Sequence, residues 1–308
     1  MLNLLSWNVQ WCRGIDGRVD PARIARTARD IADFDVLCLQ EVAIGFRSLP
    51  GSAGEDQFAA LAAVLPDHCG YFGPATDLDD GGGGRRQFGN AIFTRLPVHQ
   101  VFRHLLPWPP DPATPSMQRL ALELVIETSG GPLRVVTTHL EYYSPSIRMA
   151  QVHALRALHS QACGHAARPR PGGVPGEPFD VSPSPANTVI CGDFNFVPHG
   201  TDYTAMTAPF DDATAPLHDA WAECHPGREH PPTVGVHEDR FPRECWDFAF
   251  VSRGLVRHLG QVRIIGDTDA SDHQPLALAL RGDPGPAPAI LTDREPDTDP
   301  ARPVSCPR

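Results

Sequence analysis

The chain has 308 residues, 41% of them hydrophobic, and a formal net charge of −11. That length and apolar fraction suffice for one large α/β or sandwich domain, or two small ones. The acidic balance argues against a broad basic surface tracking a nucleic-acid backbone, because such binding sets Lys and Arg against phosphates.

The opening MLNLLSWNVQW lacks the basic, apolar and small-residue regions of a secretory leader. No run approaches the roughly 18 apolar residues of a spanning helix. A soluble, cytoplasmic monomer without membrane insertion is therefore expected. Residues 2–9 read as a first strand with Asn8 near its end, and Asp20-Pro21 then supplies an N-cap and first-turn proline for a helix to about residue 33. Residues 35–42 (DVLCLQEV) form a second buried strand, followed by a helix over about 55–65. Strand-like runs come next at 89–95, 118–127 and 133–139, the middle one alternating as a half-buried antiparallel strand does. Between the helix and these runs, GGGGRR (81–86) lacks the strand-loop-helix setting of a phosphate-binding turn and reads as a flexible connector.

Ser144-Pro145 opens a helix to about residue 162, with Val152, Leu155 and Leu158 on its apolar face. Residues 164–187 are a Pro/Gly-rich insertion, and 282–308 form a Pro-rich, acid-dotted tail expected to be disordered. The folded domain is thus 1–281. After the insertion come a strand ending in VICGDFNFVP, a strand over 246–252 (WDFAFVS), and closing strands at 262–265 and 274–280. Both halves run strand, helix, further strands. That plan suggests two mainly antiparallel sheets packed face to face with helices outside, a four-layer α/β sandwich. The eight cysteines carry no CxxC pair, and several lie in apolar runs, so they read as buried thiols of a reducing compartment.

In VICGDFNFVP the alternation of a strand sends Asp193 and Asn195 to one side and Phe194 and Phe196 to the other. Two readings stand equal for this motif alone: a site presented at a strand end, or an Asx-type turn leaving the core. The wider pattern decides. Asn8, Glu41, His139, Asp193, Asn195, Asp272 and His273 all close a strand or directly precede one. Carboxylates and amides are the ligands of a hard cation, and histidines beside them protonate or stabilise oxyanions. Together they describe metal-assisted attack of water on a phosphoester. The chain has no HExxH and no GxSxG, which removes zinc-protease and serine-hydrolase chemistry.

The ordered set Trp7-Asn8, Gln40-Glu41, GNAIFTR, Thr138-His139-Leu140, GDFN, DFAFVS and Ser271-Asp272-His273 resembles the endonuclease/exonuclease/phosphatase superfamily across nearly all of residues 2–281. The resemblance implies Mg²⁺ or Mn²⁺ held chiefly by Glu41, with Asn8 beside it and Asp272 contributing. It implies that Asp193 activates the attacking water and that Asn195 holds the water or a phosphoryl oxygen. His273, oriented by Asp247, and His139 would stabilise the phosphoryl group. Arg119 matches a position where relatives carry a basic residue near the site, and Asn8 and Tyr142 are further substrate-binding candidates. Where the family usually has Arg-Ile-Asp-Tyr, this chain has Cys245-Trp246-Asp247-Phe248, so the acid is kept and its neighbours differ. The expected function is a divalent-metal-dependent phosphodiesterase or phosphatase. The alternatives are a nuclease acting on DNA or RNA, and, from another class, a non-catalytic binding scaffold of the same fold.

Overall fold

A computed structural model describes residues 1–282 apart from 175, 181 and 238–241. Apart from Gly282, the expected tail therefore lies outside the described residues. Alternation at period 2 organises the molecule. In β1 (Leu2–Asn8) and β2 (Val36–Ile44), Leu4, Val36 and Cys38 face inward to a central core, while Leu5, Trp7, Leu37 and Leu39 face outward beneath helices. Strands covered on both faces read as near-continuous apolar runs, which is why these two segments show so little polar sequence.

The first sheet adds β3 (Cys69–Asp79), β4 (Arg85–Thr94), β11 (Leu259–Ile264) and β12 (Leu276–Leu280), in the order β11-β12-β1-β2-β4-β3. The second holds β5 (Val98–Leu105), β6 (Leu120–Thr128), β7 (Gly131–His139), β8 (Thr188–Asp193), β9 (Leu217–Asp219) and β10 (Asp247–Ser252), in the order β5-β6-β7-β8-β10-β9. Each sheet has one parallel pair near its centre, β1 with β2 and β7 with β8, and antiparallel pairing elsewhere. Leu122, Leu124, Val135 and Val189 from the second sheet meet Leu4, Val36, Ile92 and Leu278 from the first. Face-to-face packing of this kind is the two-sheet sandwich expected from the sequence.

Helices close the outer faces. α1 (Pro21–Ile31) begins where Asp20 Oδ1 accepts the Arg23 N–H at 2.9 Å, and it buries Ile24, Ala25 and Ala28 on the first sheet beside Leu61 of α2 (Gln57–Val64). α3 (Pro145–Ala167), capped by Ser144, lays Val152 and Leu155 on the second sheet with Met206 of α4 (Thr201–Thr207). The helix continues past residue 162 into what the composition marked as insertion. GGGGRR is no loose connector: Arg85 and Arg86 already belong to β4, and Asp80 accepts the Gly82 and Gly84 N–H groups in a tight hairpin end. Among the described residues Cys12, Cys38, Cys191 and Cys245 are buried free thiols, Cys163 and Cys224 are free but only half-buried, and Cys69 is disulfide-bonded, against the expectation of thiols throughout; no helix is long and apolar enough to cross a membrane.

Candidate active site

The two parallel pairs end at the same edge of the sandwich, with Asn8 opposite Gln40 in one sheet and His139 opposite Asp193 in the other. Asp247, the first residue of β10, pairs with Asp193 from the other side. Carboxyl ends of parallel strands are where α/β folds gather ligand groups.

Strict alternation would turn Glu41 outward, under the helices. Instead β2 carries a bulge: Leu39 pairs with Ala91 and Val42 with Gly89, so Gln40 and Glu41 face a single residue of β4. Glu41 sits at φ 63°, a left-handed conformation that costs a non-glycine residue about 1–3 kcal/mol and that re-aims the carboxylate into the cleft. Gln40 stays inward and donates across the sandwich to Thr137 Oγ1 at 2.7 Å, tying the two sheets together directly under the site.

The GDFN motif satisfies both of its sequence readings. β8 stops at Asp193, whose Oδ1 accepts the Asn195 N–H at 2.9 Å in an Asx turn, and Asn195 adopts φ 53°. Asn195 Nδ2 donates to the Leu140 carbonyl at 2.9 Å, while Phe194 and Phe196 both enter the outer core. Gly192 is required for a backbone approach: a Cβ there would lie 2.0 Å from the Thr138 carbonyl oxygen, at φ 137°.

Asn8 bridges the two acids, its Nδ2 donating at 3.0 Å to both Glu41 Oε1 and Asp193 Oδ2. Its Oδ1 accepts the Gln10 N–H at 3.1 Å. Gln10 also donates its side-chain amide to Asp272. The Ser271–His273 loop is pinned to β1 by Ser271 Oγ donating to the Asn8 carbonyl at 2.8 Å and by Trp7 Nε1 donating to the His273 carbonyl at 2.9 Å. His273 Nδ1 lies 2.9 Å from Asp247 Oδ2, and its Nε2 lies 3.7 Å from Asp193 Oδ2. His139 Nε2 approaches the same Asp193 oxygen at 3.5 Å, with Nδ1 3.8 Å from Glu41. Asn8 from β1, His139 from β7 and His273 from the loop thus converge on the single oxygen Asp193 Oδ2.

The electrostatics split the two histidines. Burial works against charge on His273, yet the Asp247 and Asp193 carboxylates outweigh it and raise its pKa well above the usual imidazole range. Burial, then the Arg119 guanidinium and His273, push His139 well below that range, so it is neutral. Burial raises Asp193 to about 6, with Asp247 adding to the rise and His273 and the Asn8 and Asn195 hydrogen bonds opposing it. Glu41, 17% exposed, is raised to about 7 by burial and then by Asp272.

Arg119 is buried, 7% exposed, with its Nε 3.5 Å from Glu141 Oε2. Tyr142 lies on the rim beside Trp246, their ring centroids 5.6 Å apart. All the sequence-predicted residues therefore gather at one edge, Tyr142 farther out than the rest. Gln10 and Trp246 were missed as site neighbours. Gln10 stood two positions after Asn8 in the strand-exit segment, and Trp246 stood directly before Asp247.

The donor set fits a hard divalent cation. Glu41, Asp193 and Asp272 are drawn close enough to raise the Glu41 pKa, and that accumulation of oxygen charge is what such an ion relieves. Asp193, Asp247 and His273 also bring one ligand atom each within 4.8 Å of one another, but a protonated His273 repels a cation from that second grouping.

Fold and cluster together define a class: two-sheet α/β sandwiches with a carboxylate, amide and histidine cluster where the central strands of both sheets end. The chain belongs to the Endonuclease/Exonuclease/phosphatase family, whose model matches residues 5–273. The enzymes in that name hydrolyse phosphoester bonds. Among solved structures, the chain is similar to an endonuclease/exonuclease/phosphatase from Beutenbergia cavernae, at 24% identity over 91% of this chain and 72% of that one, with a TM-score of 0.62. A mannosyl-6-phosphatase from Bacteroides thetaiotaomicron matches at 18% identity over 91% and 99% of the two chains, TM-score 0.61. The human Nocturnin catalytic domain with bound sulfate matches at 20% identity over 90% and 92%, TM-score 0.58. At these identities the neighbours show the fold. Comparison with curated protein sequences gives no match.

Proposed function

We propose that this chain is a divalent-metal-dependent phosphoester hydrolase whose attacking water is activated by Asp193. The observation that carries this is the Asp193 carboxylate, held by Asn8 on one oxygen and the Asn195 backbone on the other, with His139 and His273 both within 4 Å. A buried carboxyl raised to about 6 is a base matched to neutral pH. Glu41, with Asn8 and Asp272 beside it, would hold Mg²⁺ or Mn²⁺, which when bound would supply Lewis-acid neutralisation of charge on the phosphoryl oxygens.

Asp193 takes the proton from water, and the Asn195 side chain holds the water or a phosphoryl oxygen. His273, kept protonated and oriented through Nδ1 by Asp247, donates from Nε2 to the charge that develops on oxygen. Neutral His139 donates a hydrogen bond to the phosphoryl group without adding a second full charge, and Arg119 supplies fixed positive charge behind it. Asn8 sets the separation of Glu41 and Asp193. We assign this chemistry to a single catalytic domain spanning 1–281.

The test is hydrolysis of a generic phosphodiester and a generic phosphomonoester, each with Mg²⁺ or Mn²⁺, and with the Asp193→Ala protein as contamination control. Turnover of either ester that the variant loses supports the reading, and equal turnover by both proteins defeats it.

A further inference from the structure

Beside the phosphoryl site, on the Asn195 side, lies an open cavity of ≈ 740 Å³. That size suits a small molecule. Its wall includes Tyr142, Trp246, Met149 and Asn195. Asn195 also belongs to the Asp193 turn, and the Trp246 ring centroid lies 6.3 Å from that of His273, so the cavity opens directly onto the reacting centre.

The aromatic wall is held in place before any ligand arrives. Arg148 Nη1 donates at 3.0 Å to the carbonyls of both Glu141 and Tyr142, and the Tyr143 N–H is accepted by Glu141 Oε1 at 2.9 Å. Tyr142 keeps 38% of its surface exposed, and the Trp246 ring packs beside it at a tilt of 51°. Preorganised aromatic faces recognise flat or CH-rich rings at low entropic cost.

Charge argues against a second phosphate in this cavity. The chain contains no lysine, so every fixed cation is an arginine. Among the described lining residues Arg148 is the one cation, and it is committed to Asp202 at 2.8 Å besides the two carbonyls. The other charged lining groups are acids, Asp202 and Glu244, the latter accepting Trp246 Nε1 at 2.9 Å. A carboxylate at an aromatic wall accepts hydrogen bonds from hydroxyl or amino groups and repels phosphate.

We infer that this cavity is the leaving-group subsite, and that it takes an uncharged ring bearing hydrogen-bond donors, a sugar or a nucleoside. The inference rests on the phosphoesterase reading and narrows it to esters of small ring alcohols. In the reaction, a P–O bond forms to water, whose proton passes to Asp193, as the P–O bond to the ring-bearing alcohol breaks, and that alcohol leaves carrying the proton given by His273 Nε2.

The test compares a hexose 6-phosphate, a nucleoside 5′-monophosphate and glycerol 3-phosphate as substrates with Mg²⁺, for the unaltered protein and for Tyr142→Ala. At least one ring ester should exceed glycerol 3-phosphate in kcat/KM by about tenfold or more, and Tyr142→Ala should collapse that ratio mainly through KM. The preferred ring ester identifies the source. Equal rates on all three, or a ratio untouched by Tyr142→Ala, overturn the subsite and leave the phosphoesterase reading standing. Preferential cleavage of an oligonucleotide also overturns it. Binding is read independently of turnover by titrating the Asp193→Ala protein with the same esters and following tryptophan fluorescence, with Trp246→Phe added as the control. A saturable response to a ring ester that disappears in the control upholds ring binding in this cavity even where none of these monoesters is hydrolysed, and the diester and monoester assay above then decides the phosphoesterase reading. Neither hydrolysis of a ring ester nor a response overturns the subsite.

Discussion

Two buried carboxylates in the second sheet have opposite fates. Glu123, on the outer face of β6, and Asp193, at the end of β8, are 5% and 2% exposed at their side chains. Burial raises the pKa of each. For Glu123 the cost is more than offset: Arg134 donates from Nε and Nη2 at 2.7 and 2.9 Å, His104 adds a third contact at 3.0 Å, and the carboxyl falls to about 2. Asp193 receives only neutral donors and a shared histidine, has a second acid beside it, and settles near 6. The same residue chemistry at the same depth is thus locked as an anion in one place and left able to exchange a proton in the other. A neighbouring arginine marks the acid held as an anion, and its absence marks the one we propose as the working base.

The comparison breaks if the working acid proves inert or the locked one proves dispensable. Asp193→Asn should lower turnover by about 10²–10⁴-fold, the range for loss of a positioned base, while its melting temperature stays level or rises because the repulsion with Asp247 is gone. A large drop in melting temperature would make Asp193 structural too. His273→Ala should cost a similar or somewhat smaller factor in kcat, and Asp247→Asn should weaken the same step by leaving the ring unoriented. Glu41→Ala should raise the metal concentration needed for half-maximal activity by at least about tenfold, measured by titrating Mn²⁺ into the chelated protein.

Glu123→Gln should leave turnover close to that of the unaltered protein but cost about 3–5 kcal/mol in urea unfolding, because it strands Arg134 as a buried, unpaired charge. Its pH dependence follows from the depressed pKa. In the unaltered protein the stability from Glu123 is complete above the carboxyl's ordinary 4.5 and is lost as pH falls toward about 2. The gap in unfolding midpoint between pH 7 and pH 3 should therefore shrink in the variant. Asp20→Ala, which removes the cap of α1 and an exposed ion pair with Arg26, should cost about 1 kcal/mol.

Much of this was legible from sequence because local patterning carried it. Alternation and apolar runs placed the central strands, and Asp20 and Ser144 with their following prolines fixed two helix starts. The recurrence of Asn, Asp, Glu and His where strands end marked the cluster. Less visible were the roles of Gln10 and Trp246, since each acts on a partner distant in sequence: Gln10 on Asp272 and Trp246 on Tyr142. GGGGRR looked mobile because glycine permits mobility, yet Asp80 closes it into a turn.

By itself, then, the sequence determined which segments alternate, where strands stop, and which residue types stand at those stops, for these depend on neighbours one to four positions away. Only the tertiary structure decided how those stops combine. It required a bulge to turn Glu41 into the cleft, the packing of two sheets to bring Asn8 within 3.0 Å of Asp193, and the presence or absence of an arginine to choose which buried acid keeps its proton within reach. Proton affinity and ligand geometry depend on distances between residues far apart in the chain, and folding alone sets those distances.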